Sequence, residues 1–151
     1  MVGLVVVLTG CKHKAESVVV KDEFGAAATD FPYGTCKDCI PAIDEPAFES
    51  KEAANKWLED EDLVLGLDYQ GEHKAYPVKI LNWHEVVNDK LIIPVAITWS
   101  PLCGSAVVFD RRVDGRTLVL GLSGKVENSC PVMYDQETES LWRQVSGEAV
   151  V

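Results

Sequence analysis

The chain is short of positive charge and of long apolar runs, and each shortage removes a class of function. Lys and Arg number 14 against 24 Asp and Glu, for a formal charge of −10. Such a surface repels phosphate backbones and anionic head groups, so nucleic acid is not an expected partner. The longest apolar run, Val2 to Leu8, falls well below the roughly 20 apolar residues a spanning helix needs. No repeat or low-complexity tract is present, and no Ser-His-Asp order or nucleophile elbow can be read. What is there is a 151-residue chain with 47% hydrophobic content, enough for one sizeable core and one domain.

The five cysteines carry the most information. Cys11 closes Leu8-Thr9-Gly10-Cys11 behind the apolar run, a tetrapeptide that looks like the lipobox at which bacterial signal peptides are cut and lipidated. Residues 1–11 are therefore expected to be a lipoprotein-type signal segment, although a basic n-region is missing. The competing reading is an apolar N-terminal strand that happens to end in Gly-Cys. Lipidation at Cys11 would attach the protein to a membrane through a lipid anchor and place it outside the cytoplasm, in the cell envelope. Thiols there are oxidised, bound to metal, or kept reduced for a purpose. Four remain to be assigned: Cys36, Cys39, Cys103 and Cys130.

Lys12 to Asp30 is polar, Ala-rich and aperiodic, which reads as a flexible tether. Residues 31–151 read as a single α+β domain, mainly antiparallel β sheet or a partly open barrel with one or two short helices. Phe31 to Pro46 is turn-dense, with Pro32, Gly34, Pro41 and Pro46. Ser50 caps an expected helix over Lys51 to Leu58. Leu63 to Tyr69 and His73 to Val78 form an expected hairpin around Gln70-Gly71, followed by a short helix or irregular turn over Lys79 to Asp89. Further strands are expected at Leu91 to Trp99, Ser105 to Arg112, Thr117 to Leu122, Val132 to Tyr134 and Leu141 to Val145, with a hairpin at Asp114-Gly115. The final Gly147 to Val151 carries no terminating signal, so the domain is expected to be truncated at its C-terminus.

Four ordered blocks carry a resemblance. They are IPAIDEP at Ile40 to Pro46, AYPVKILNWHEVVND at Ala75 to Asp89, SPLCGSAVVFDRR at Ser100 to Arg112, and LSGKVENSCPVMYDQETESLW at Leu122 to Trp142. Together they resemble the domain-of-unknown-function family 3179, a widespread set of prokaryotic proteins. The resemblance implies an exported, often membrane-attached protein, usually longer than this chain, and implies no established activity. Two positions depart from the pattern. Ser100 stands where such proteins commonly have a second cysteine, and Cys130 stands where a non-cysteine residue is expected. A dithiol at positions 100 and 103 is thus ruled out here, and Cys130 could substitute if the two strands are neighbours.

Cys36-Lys37-Asp38-Cys39 is a CxxC that can close a small disulfide or offer two thiolates to one metal. Pro41 and the turn-rich context argue against a thioredoxin-type helix start. His84, Cys103 and Cys130 together would suit a soft metal such as Zn or Cu, with Met133 as a further soft ligand and Glu85 as a partner fixing the imidazole tautomer. Cys103 could otherwise act as a nucleophile with His84 as its base, or be a small buried hydrophobe. His13 and His73 are weaker ligand candidates. Asp135 to Ser140 reads as a polar turn held by Asp135, Thr138 and Ser140; calcium binding there would lack the Gly and Asp spacing of an EF-hand. Arg111 and Arg112 read as solvating a hairpin, and the four tryptophans as core or rim. Two functions follow. One is an envelope domain binding a soft metal or performing thiol chemistry at Cys103, His84 and Cys130. The other is a non-catalytic binding or scaffold module stapled by Cys36–Cys39 and Cys103–Cys130, serving an envelope protein partner.

Overall fold

The protein is described by a computed structural model over residues 34–150, together with the backbone of residues 3–4. Leu8 to Cys11, expected to be a lipobox, His13 and the expected tether over Lys12 to Asp30 lie outside the described residues. In chain order the elements are β1 (Gly3–Leu4), β2 (Ile43–Asp44), α1 (Lys51–Ala54), β3 (Val64–Tyr69), β4 (Glu72–Pro77), α2 (Val78–His84), β5 (Val86–Lys90), β6 (Pro94–Ser100), β7 (Ser105–Asp110), β8 (Arg112–Val113), β9 (Arg116–Thr117), β10 (Leu120–Glu127), β11 (Cys130–Asp135) and β12 (Leu141–Arg143). The domain is mostly antiparallel β with two short helices, broadly the α+β class, and its described sheets do not close into a barrel.

A five-stranded sheet in the order β1-β7-β6-β5-β2 forms the centre. All its pairings are antiparallel except β2 with β5, where Asp44 lies opposite Asn88. The period-2 geometry of strands sends alternate residues to opposite faces, and both faces are covered. Val87, Ile97 and Val108 pack with Leu65 and Leu67 of β3, Tyr76 of β4 and Leu81 of α2. Val86, Ala96 and Phe109 pack with Leu120, Leu122, Met133 and Trp142 of the β10-β11-β12 sheet. A strand covered on both faces needs no polar alternation, which explains the continuous run Val95-Ala96-Ile97-Thr98-Trp99, buried throughout.

The two dipeptides read as hairpin signals form their turns. Gln70 and Gly71 adopt φ of 52° and 84°, and Asp114 and Gly115 adopt 49° and 77°, the doubly left-handed geometry that fits the strand twist. Asn128 and Ser129 do the same, at 49° and 63°, and deliver Cys130 opposite Glu127.

Several expectations need correction. The helix capped by Ser50 stops at Ala54 rather than Leu58, and Trp57 lies on the surface with its indole N–H on Glu49. The expected strand Thr117 to Leu122 is displaced to β10, because Ser123-Gly124 form a bulge that carries the strand on to Glu127. Arg111 is no hairpin solvator. It is buried, donating through Nη1 to the Leu118 carbonyl and through Nη2 to that of Asp89, and its Nε has no hydrogen-bond partner among the described residues. Burial lowers its pKa.

Candidate functional site

The CxxC loop is built to dock. Cys36 and Cys39 are joined in a disulfide across a turn closed by the Cys39 N–H on the Cys36 carbonyl. The residues between them are both engaged. Asp38 accepts a 2.6 Å hydrogen bond from the Tyr134 hydroxyl, and Lys37 pairs with Glu139 and lies 3.8 Å from the centre of the Tyr134 ring. Burial, then the Asp38 carboxylate, push the Tyr134 hydroxyl above its ordinary pKa. The floor of the dock is the β10 bulge. Gly124, at φ 77°, presses against Thr35 and Cys36 so closely that an added Cβ would stand 2.7 Å from the Cys36 carbonyl carbon. The Gly34 and Thr35 N–H groups donate to the Gly124 carbonyl, and that of Asp38 to the Leu122 carbonyl. Nothing in this arrangement resembles a helix N-terminus that would activate a thiol.

Cys103 and Cys130 meet in a second disulfide, with Cα atoms 5.6 Å apart. Cys103 sits in the β6–β7 turn of the central sheet, where its N–H donates to the Ser100 hydroxyl at 3.3 Å. Cys130 opens β11, in the other sheet. The bridge therefore crosses between sheets, and Ser100 is the buried last residue of β6.

Behind the bridge runs a polar chain that starts half-buried at Cys103 and Ser105 and ends buried at Gln144 and Thr98. The Cys103 sulfur lies 2.9 Å from the Ser105 hydroxyl, which donates to Gln144 Oε1 at 3.0 Å. Gln144 Nε2 donates to the Thr98 hydroxyl at 3.2 Å, which donates to the Val107 carbonyl at 2.8 Å. Gln144 and Thr98 are fully buried, so each of these groups needs its partner. Beside Cys130 a surface groove of about 450 Å³ is lined by Glu127, Asn128, Pro131, Gln144 and Val145 among others. Arg143 fixes its rim, reaching Glu127 through Nε at 2.6 Å and lying 3.5 Å from Glu148.

The remaining candidates are dispersed. His84, the last residue of α2, turns Nδ1 to the Pro41 carbonyl at 2.8 Å, and since a carbonyl only accepts, Nδ1 carries a hydrogen and donates it. Glu85 follows at φ 56° as the left-handed cap of α2, and burial alone pushes its carboxyl up to about 7. Met133 is fully buried in the core between the sheets. His73 pairs with Asp68 on the exposed β3–β4 hairpin. Asp135 is completely buried and receives Thr138 N–H, Thr138 hydroxyl and Trp142 indole N–H, so the turn reading of this segment stands. Burial tends to raise the Asp135 pKa, and these donors outweigh it and lower the value. Among the described residues no group of three or more His, Cys, Asp or Glu is placed to hold a metal ion. The sequence reading missed Thr98, Ser105 and Gln144, whose importance comes from their position between sheets.

A family model described as "Protein of unknown function (DUF3179)" matches residues 37–151. The chain belongs to this family. No curated protein and no solved structure matches it. Within this DUF3179 domain the four resemblance blocks converge in space. Pro41 of the first receives His84 of the second. Asp44 of the first receives the amide of Asn88 in the second at 2.7 Å. Cys103 of the third is bridged to Cys130 of the fourth.

Proposed function

We propose that the chain is an exported, envelope-anchored binding or scaffold module stapled by two disulfides, with the groove beside Cys130 as its contact site. The observation that carries this reading is the pairing of all four cysteines of the folded domain, one pair holding a loop on its sheet and the other joining two sheets. Disulfides of this kind belong to proteins that work outside the reducing cytoplasm, which agrees with the lipobox-like Leu8-Thr9-Gly10-Cys11. The convergence of the family blocks on bridges and hydrogen bonds supports a scaffold role for them.

A soft-metal site at His84, Cys103 and Cys130 requires two sulfurs that are here bonded to each other. Metal analysis of the domain, purified without chelator or reductant, separates the two readings. The stapled module predicts no stoichiometric Zn or Cu and a thermal midpoint that falls on reduction. Stoichiometric metal that disappears in Cys103→Ala or His84→Ala would overturn it. The address is tested by fractionation: replacing Cys11 with Ala should move the protein from the membrane fraction to the soluble one, and an unchanged distribution would contradict lipid anchoring.

A further inference from the structure

We propose that the Cys103–Cys130 bridge is exchangeable, a site that takes two electrons and two protons from an external dithiol, with Ser105 and Gln144 biasing it toward the reduced form. This goes beyond the stapled reading and rests on it, since the bridge must first form. The argument is a count of protons. The Ser105 hydroxyl has one, and two acceptors lie in reach: the Cys103 sulfur at 2.9 Å and Gln144 Oε1 at 3.0 Å. A disulfide sulfur carries no proton. In the bridged state the hydroxyl therefore serves one acceptor and leaves the other, and Gln144 is almost wholly buried, where an unserved acceptor is costly.

Reduction resolves the conflict. The Cys103 thiol donates to Ser105, Ser105 donates to Gln144 Oε1, Gln144 Nε2 donates to Thr98, and Thr98 donates to the Val107 carbonyl. Every proton in the chain then has an acceptor, and every acceptor a proton. The network is complete only when Cys103 is a thiol.

Access comes from the other sulfur. Both cysteines are partly exposed, but Cys130 lines the groove, whereas Cys103 does not and is backed by Ser105. A donor thiolate attacks the Cys130 sulfur, the Cys103–Cys130 bond breaks, and its electron pair goes to the Cys103 sulfur, which takes up a proton. The donor's second thiolate then attacks its own sulfur in the mixed disulfide, and Cys130 leaves and is protonated. The products are two protein thiols and one donor disulfide, so atoms and electrons balance. The substrate class is a dithiol able to enter a groove of about 450 Å³.

The test equilibrates the full chain with graded ratios of reduced and oxidised dithiothreitol, alkylates free thiols, and quantifies each cysteine peptide by mass spectrometry. Ser105→Ala should shift the equilibrium of this bridge about tenfold toward the disulfide, equivalent to about 30 mV. Ser105→Thr, which retains a hydroxyl, should restore the wild-type value, and Cys36–Cys39 should not move in either variant. Gln144→Met, a second variant that removes the competing acceptor, should shift the bridge the same way. An unchanged equilibrium, or a shift toward the dithiol, overturns the proposal while leaving the stapled reading intact. Alkylation of Cys103 and Cys130 before any dithiol is added overturns both.

Discussion

Asn88 does the work of a short strand with one side chain. Its amide donates to Asp44 and to the Leu120 carbonyl, each at 2.7 Å, and its oxygen accepts from the Leu120 N–H at 3.0 Å. It thereby joins the central sheet to β10 at a buried position. Asn88→Leu strands both polar groups of Leu120 and should cost about 3 kcal/mol, read as a lower urea midpoint; a loss below about 1 kcal/mol would contradict that role. Glu85 supplies a pH signature. Its carboxyl is raised from about 4.5 to about 7 by burial, so the folded state holds a proton that the unfolded chain releases between those values. The contribution of this residue to stability is therefore least favourable above pH 7, improves as pH falls through the window, and is neutral below about 4.5. Glu85→Gln should raise the thermal midpoint at pH 8 and leave it unchanged at pH 4. An equal effect at both values would refute the assignment. Neither role was legible beforehand, because Asn88 and its partners are separated by 32 and 44 residues and a buried polar side chain is recognisable only through its partners.

At the scale of elements, the legible features were those with local causes. The Gln70-Gly71 and Asp114-Gly115 turns depend on residues that tolerate positive φ, and both formed as read. The Ser50 cap is also local and forms, with the Ala53 N–H on its hydroxyl, but where α1 ends is decided elsewhere. The β10 bulge was illegible for the same reason, since Ser123-Gly124-Lys125 reads as a break until the CxxC loop is placed upon it. Gly124→Ala tests that docking. The substitution meets Thr35 and Cys36 backbone at a positive φ and should cost about 2–4 kcal/mol, whereas Gly66→Ala, which meets nothing within 4 Å, should change little. Equal effects would mean that the loop does not press on the bulge.

At the scale of the molecule, the two bridges differ in what they constrain. Cys36–Cys39 closes a loop of sequence separation 3, and Cys103–Cys130 one of separation 27 that ties the β6–β7 turn to the β10–β11 hairpin. Loop-closure entropy assigns about 2 kcal/mol to the first and about 3.5 kcal/mol to the second. The number of cysteines was readable from the sequence. The Cys103–Cys130 bridge was one of two readings of these residues, the other being a metal or thiol site, and the choice stayed open because pairing across sheets depends on how β7 and β11 pack and on nothing near either residue in the chain. Cys130→Ser should lower stability by about 3 kcal/mol under non-reducing conditions, measured by urea unfolding, and a variant as stable as the parent would remove the bridge from the account. The most direct measurement is a disulfide map of the non-reduced protein, by proteolysis and mass spectrometry after alkylation of any free thiol. The account predicts the Cys36–Cys39 and Cys103–Cys130 links with all four residues unalkylated. Alkylated Cys103 or Cys130, or either residue linked to Cys36 or Cys39, would contradict it.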